Sequence, residues 1–263
     1  MRLIVNGKAV FPGNHPVGEA RARYKPAADL CIANGYPALD GQPLRDGDEL
    51  NLIVRASALR RRMRRCWPAG TPGVMPGWRA AWHLRLGGLG SSIAMHLARC
   101  GVGRLLLADF DVVEPSNLNR QQYFVSQVGM RKTDALRQLV EMANPYVQVQ
   151  THAVRLNAEN IPALLAGWDI VVEAFDDAAC KAELVRTCLE RLPGTKVISG
   201  SGMAGYASAN AIETRRVFQN LYVCGDETSA ARPGRGLMAP RVAVCAGHQA
   251  NMALRLLLGL EEP

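Results

Sequence analysis

Residues 86–263 predict an α/β fold built on a doubly wound, mostly parallel sheet. Three observations carry this. Helical and strand runs alternate, the run Ile170-Val171-Val172 is continuously apolar, and a glycine-rich turn, Gly87-Gly88-Leu89-Gly90, opens a helix. Alternation brings successive strands parallel through helical crossovers. A strand covered on both faces reads as an unbroken apolar run. A glycine turn at a helix start lets the backbone approach a phosphate, and the helix end supplies free N–H groups.

The elements follow in order. A helix over 91–100 leads to a strand over 104–109, and a helix over 132–143 to a strand over 147–154. Residues 161–165 make a short helix, the strand around 170–172 follows, and a helix over 178–191 leads to a strand over 196–199. The last helix, 241–258, carries His248, Gln249, Asn251 and Arg255, too polar for a membrane span. Residues 1–57 read as a separate α+β unit of order ββαββ. Asn6-Gly7 joins two short strand runs as a hairpin, 17–24 suit a helix, and 30–33 and 49–54 are strand runs, the latter following the turn Asp46-Gly47-Asp48.

The net charge of +8 is local. Eight arginines and no acidic residue fall within 51–85, leaving 23 basic against 23 acidic residues elsewhere. The excess therefore belongs to one segment rather than to a basic face, and nucleic acid is not expected as a partner. Nor is a membrane. The N-terminus lacks a signal-peptide core, so a cytoplasmic protein is expected. Seven scattered cysteines include no CxxC pair, so neither a structural zinc site nor a disulfide framework is expected.

Beyond the glycine turn, Asp109 ends the strand LLLAD, 19 residues after Gly90, where a carboxylate accepts hydrogen bonds from a ribose. A dinucleotide and ATP fit equally well up to that point. The next run separates them: Asp109 to Gln122 (DFDVVEPSNLNRQQ), followed by Gly129-Met-Arg-Lys132, gathers polar and cationic groups suited to a triphosphate. Asp176 ends the strand VVEAF, and a carboxylate there faces the ligand crevice of a parallel sheet. Asp177 reads more simply as the cap of the next helix.

These runs, with VVEAFDD, SGSGMAGYAS, NLYVCGD and GLMAPRVA, closely resemble the ubiquitin-activating-enzyme-like adenylyltransferases, in particular the thiamine-biosynthesis (ThiF) branch. The first zone resembles the β-grasp fold of ubiquitin-like sulfur carriers. The resemblance implies a Rossmann-like domain that binds ATP and Mg²⁺ and adenylylates the C-terminal carboxylate of a sulfur carrier ending in Gly-Gly. It implies that Gly87, Gly88, Gly90, Asp109, Asp111, Asn117, Arg120 and Lys132 bind the nucleotide. Asp109 would take the ribose, and Asn117, Arg120 and Lys132 the phosphates. Asp176 would hold Mg²⁺, with Arg120, Lys132 and Asp176 carrying the catalysis. A homodimer is implied as well. Some relatives pass sulfur through a cysteine. Cys224, in a loop-like YVCGD, is the candidate here, against the simpler reading of an inert thiol.

The sequence also departs from the family. Arg85 stands where relatives carry the first glycine of G-x-G-G-L-G, and Ala80 to Arg85 make a poor central strand, so the first strand of the site is expected to be missing. The family's upstream ATP-binding arginine has no assigned place among Arg60 to Arg65. Residues 58–85 hold three of the four tryptophans and no acid. They read either as an out-of-frame translation closed near Arg85 or as a genuine basic insertion. The unit 1–57 lacks a diglycine end, since Arg55-Ala56-Ser57 follow its last strand, and so is not itself the adenylylated substrate. Two other functions stay open: a non-catalytic carrier-binding relative, and a nicotinamide-dependent oxidoreductase resting on the glycine turn and Asp109 alone.

Overall fold

A computed structural model describes residues 2–10, 15–54 and 86–263, together with the backbone of 79–83. Arg85 and the basic run 58–78 lie outside the described residues. The chain forms two units.

In the first unit, β1 (Leu3–Val5) and β2 (Lys8–Val10) pair antiparallel, then α1 (Val17–Tyr24) leads to β3 (Leu30–Ala33), β4 (Tyr36–Pro37) and β5 (Glu49–Ile53). The sheet order is β2-β1-β5-β3-β4, and β5 runs parallel to β1 and antiparallel to β3. Both hairpins turn on Asn-Gly, with Asn6 at φ 50° and Gly7 at 79°, and Asn34 at 51° and Gly35 at 86°. Two successive positive φ values make the turn whose twist matches that of the strands. Leu3, Val5, Leu50 and Leu52 alternate inward and close on Val17 and Ala20 of α1.

The second unit contains β6 (Arg79–His83), α2 (Gly88–Cys100), β7 (Arg104–Ala108), α3 (Lys132–Ala143), β8 (Gln148–His152), α4 (Ile161–Leu165), β9 (Ile170–Glu173), α5 (Ala178–Arg191), β10 (Lys196–Gly200), β11 (Glu213–Phe218), β12 (Leu221–Gly225) and α6 (Ala239–Leu257). Seven strands form one sheet in the order β11-β12-β10-β9-β6-β7-β8, parallel throughout except for β11. From β6 the chain winds outward through β7 and β8, then returns to β9 on the other side. The reversal falls between β6 and β9, and ligands of such sheets bind at the carboxyl ends of the strands there.

The expected absence of a first strand is corrected. Residues 79–83 pair with β7 (Ala81 opposite Leu106) and with β9 (Ala81 opposite Val171) at the centre of the sheet. Two ladders of backbone hydrogen bonds hold the strand despite a side-chain pattern that reads poorly, because the ladder depends on neighbours and not on propensity alone. The segment 58–85 is therefore not all linker. NLYVCGD is corrected likewise: Leu221–Gly225 is a strand paired with β10 and β11, not a loop.

The core lies where α2 and α6 cover one face of this sheet, with Ile93, Leu97, Leu106, Val171, Val172 and Ile198 fully enclosed. Leu97→Ala is expected to cost about 2–5 kcal/mol, since a close-packed site relaxes only partly around the void. Urea unfolding would read this, and a loss under 1 kcal/mol would show that the helix packs more loosely than described.

Candidate nucleotide site

At the switch point the chain turns from β6 through Leu86 and Gly87 into α2. Gly87 is the N-cap and supplies no side-chain cap, so the first N–H groups of the helix, which have no intrahelical partner, take none from the cap residue. They open onto a cleft of about 870 Å³ lined by Gly87, Gly88 and Leu89. Asp111, Asn117, Arg120 and Lys132 border it from the segment after β7. Asp176, Lys181 and Gly200 to Met203 border it from the ends of β9 and β10. Gly90, expected at the phosphates, is buried inside α2 and is not part of the lining. Gly88 has a packing role too: a Cβ there would meet Val242 Cγ1 of α6 at 2.8 Å and the Arg120 carbonyl at 3.3 Å.

The polar run after β7 is clamped onto this turn. Tyr123 donates its hydroxyl to the Leu86 carbonyl at 2.7 Å, the Gln122 side chain donates to Ser92 Oγ at 3.1 Å, and the Gln122 N–H donates to Ser91 Oγ at 3.2 Å. Part of a motif that looks like ligand chemistry is thus structural. Asn117 likewise spends its side-chain oxygen on the Glu114 N–H, at 3.1 Å, within its own turn. Arg120 donates to Asn119 Oδ1 at 2.8 Å and to the Ser116 carbonyl at 3.2 Å. Lys132 Nζ lies 3.0 Å from Asp111 Oδ2, with the lysine side chain 6% exposed. Two buried polar atoms on this wall, Arg120 Nε and Gln121 Oε1, have no partner among the described residues. Buried polar groups are ordinarily paired, so both stand out on this wall.

Asp109 is 3% exposed and accepts the N–H of Leu86 and that of Asp111, the latter at 2.8 Å. Burial pushes its carboxyl up, against those two N–H groups and the charge of Lys132. It borders a second, smaller cleft of about 530 Å³ with Phe110, Arg155, Phe175, Asp176 and Cys180. Phe110, Phe175 and Asp176 line both clefts. Asp177 is the N-cap of α5, accepting the Cys180 N–H at 2.8 Å.

Cys224 is fully buried in β12, and burial pushes its thiol up to about 11. A thiol so placed is neither ionised nor reachable, which fits the inert reading. Among the described residues no three His, Cys, Asp or Glu side chains converge as a metal cage. Mg²⁺ does not need one, because it commonly binds one or two carboxylates plus the substrate's phosphates and waters. Asp176 beside the glycine turn fits that mode.

Three residues at the site were missed. Gln121 stands inside the recognised motif. Glu173 ends β9 with its side chain fully enclosed, 2.8 Å from Lys181 Nζ. A carboxylate closing an apolar strand requires a buried partner, and that is the signal in VVEAF. Lys181, eight residues on, is the partner.

Fold and cleft together define an α/β domain of the doubly wound type with a polar cleft at its switch point, preceded by a ubiquitin-like unit. The chain belongs to the ThiF family, whose model matches residues 86–263, and a ThiS-like ubiquitin model matches 1–56. It is 33% identical to Sulfur carrier protein ThiS adenylyltransferase of Escherichia coli over 183 residues, covering 68% of this chain and 72% of that one. It is 30% identical to Molybdopterin-synthase adenylyltransferase of Salmonella typhimurium over 184 residues, covering 68% and 72%. Against Adenylyltransferase and sulfurtransferase UBA4 of Eremothecium gossypii the identity is 32% over 181 residues, 66% of this chain but only 40% of that longer one. The tRNA N6-threonylcarbamoyladenosine dehydratase of Escherichia coli, solved with ATP, shares the fold at a TM-score of 0.68 and 20% identity, covering 79% of this chain and 98% of that one.

Proposed function

We propose that the protein uses ATP to adenylylate the C-terminal carboxylate of a separate ThiS-type sulfur carrier, in thiazole formation for thiamine. The observation that carries the chemistry is the cleft at the switch point, where an uncapped helix start meets Arg120, Lys132 and Asp176. Triphosphate over α2 would complete the unpaired Arg120 Nε, and the nucleoside would lie in the smaller cleft, its ribose at Asp109 and its base between Phe110 and Phe175. A carboxylate is already a nucleophile, so attack on the α-phosphate needs positioning and charge neutralisation rather than a general base. Asp176 would hold Mg²⁺, which when bound spreads the phosphate charge.

The thiamine assignment rests on the ThiS-like unit and on the similarity to a ThiS adenylyltransferase. Molybdopterin-type carriers are the second reading, supported by the similarity to the Salmonella enzyme. The fused unit, lacking diglycine, serves docking or structure in this proposal, and the assembly is a homodimer. The test is pyrophosphate release from ATP and Mg²⁺ with the Escherichia coli ThiS carrier or a molybdopterin-type carrier added. Release stimulated by ThiS, and lowered about 10²–10³-fold in Asp176→Ala, is expected. Stimulation by the molybdopterin carrier alone would reassign the pathway. Nucleotide binding without any release would favour a non-catalytic relative, and binding of a nicotinamide cofactor in place of ATP would favour the oxidoreductase.

A further inference from the structure

Glu173 is an enclosed carboxylate with an elaborate set of partners. It receives the Ser199 hydroxyl, the Phe175 N–H at 2.5 Å and Lys181 Nζ at 2.8 Å, while its main-chain carbonyl accepts from Gln249 at 3.0 Å. Burial pushes its carboxyl up, and Lys181, Ser199 and the Phe175 N–H oppose this. Removing one member of a buried ion pair is costly, so the pair holds Lys181 in one place. That place is the edge of the cleft: Lys181 is a quarter exposed and lines it beside Gly200 to Met203.

An ammonium has three donors. Lys181 directs one to Glu173 and one to the Gly200 carbonyl, and has no third acceptor among the described residues. The remaining N–H is available to the cleft. Its position opposes the proposed phosphate wall. Arg120 and Lys132 come from the segment after β7, whereas Lys181 belongs to α5 and bonds to the end of β10 at the Gly200 carbonyl, on the other side of β6 and β9 in the sheet. A carboxylate approaching a triphosphate meets like charge, and a cation on the approach side offsets it. Gly200, Ser201 and Gly202 line the cleft with Lys181, so a carboxylate at this end of the cleft comes within reach of its ammonium.

We propose that Lys181, braced by Glu173, binds the C-terminal carboxylate of the incoming carrier and sets it for attack. This rests on the reading of the cleft as a carrier adenylylation site. The experiment compares binding of the Escherichia coli ThiS carrier with its C-terminal carboxamide form, by calorimetry without ATP, so that no turnover is required. Wild type is expected to prefer the free acid by about tenfold or more, the scale of one hydrogen bond to a charged group. Lys181→Met alone strands a buried carboxylate and risks misfolding, so it is combined with Glu173→Gln. The double variant is expected to bind acid and amide within about twofold, while Glu173→Gln alone keeps the preference. A preference that persists in the double variant, or is absent from wild type, overturns the proposal. So does a double variant that keeps the preference but loses ATP affinity, which would make Lys181 a phosphate ligand. If wild type shows the preference, the double variant loses it and wild type releases no pyrophosphate, the activity reading falls and the assignment of Lys181 stands.

Discussion

Lys132→Met is expected to lower kcat/KM for carrier-dependent pyrophosphate release by about 10²–10³-fold, the usual cost of removing one preorganised group from developing charge. The side chain is almost wholly enclosed, and Asp111 holds its ammonium at 3.0 Å on the border of the cleft, so phosphate would meet it already oriented. The turn around it does not depend on that ammonium. The Lys132 N–H donates to the Asp111 carbonyl at 3.0 Å, and Val113 N–H to the Met130 carbonyl at 2.8 Å. Loss of rate without loss of fold is therefore expected. A second effect follows through Asp109, whose carboxyl is pushed up by burial and held down in part by the charge of Lys132. Without that charge the folded-state value rises further. The ionised form, which the proposal assigns to the ribose, is then lost at a higher pH on acidification, and the acid limb of the pH–rate profile moves upward. Lys132→Arg should keep the limb near its original place. A methionine variant within threefold of wild type, with an unmoved limb, would remove Lys132 from the site.

Much of the site is legible in the sequence because its parts are local. The glycine turn and the helix it opens sit within a few residues, and the helices 132–143, 161–165 and 178–191 fall at their observed bounds. Residues whose role is set by distant partners were not legible. Arg79–His83 looks unlike a central strand, and only its two neighbours reveal it as one. Cys224 precedes Gly225-Asp226, a turn signal, yet its residue pairs with Gly200 on one side and Thr214 on the other. Asn117, Gln122 and Tyr123 sit in a motif whose polarity suggests ligand contacts, but much of that polarity ties the motif to itself and to α2. Function and scaffolding use the same residue types here, and only the hydrogen-bond partners separate them.

Arg241→Met is expected to lower stability at pH 7 by about 3–5 kcal/mol, because it strands a buried carboxylate. Arg241 donates to Asp226 Oδ2 at 2.5 Å, with the two side chains 4% and 8% exposed, and to the Ser208 carbonyl at 3.0 Å. Asp226 also accepts the N–H groups of Thr228 at 3.0 Å and Ser229 at 2.7 Å. One guanidinium thus joins the start of α6 to the segments that follow β10 and β12. Burial alone would raise the Asp226 carboxyl. Hydrogen bonds from Ser229, Thr228 and Arg241 outweigh it and hold the group well below the usual carboxylate range. A depressed folded-state value contributes stability above the ordinary value, near 3.9, and that stability is lost as pH falls toward the folded one. The deficit of the methionine variant should therefore be largest at neutral pH and shrink below about pH 4. Urea unfolding at both pH values reads this, and an equal deficit at each would leave the ion pair without a role in the difference. Asp226→Asn combined with Arg241→Met should recover part of the loss, since no buried charge is then left unpaired. The consequence reaches the cleft. Val242, the next residue of α6, occupies the space that a Gly88 side chain would need. A loosened start of α6 would release the glycine turn, so nucleotide affinity should fall in the same variant although Arg241 does not border the cleft.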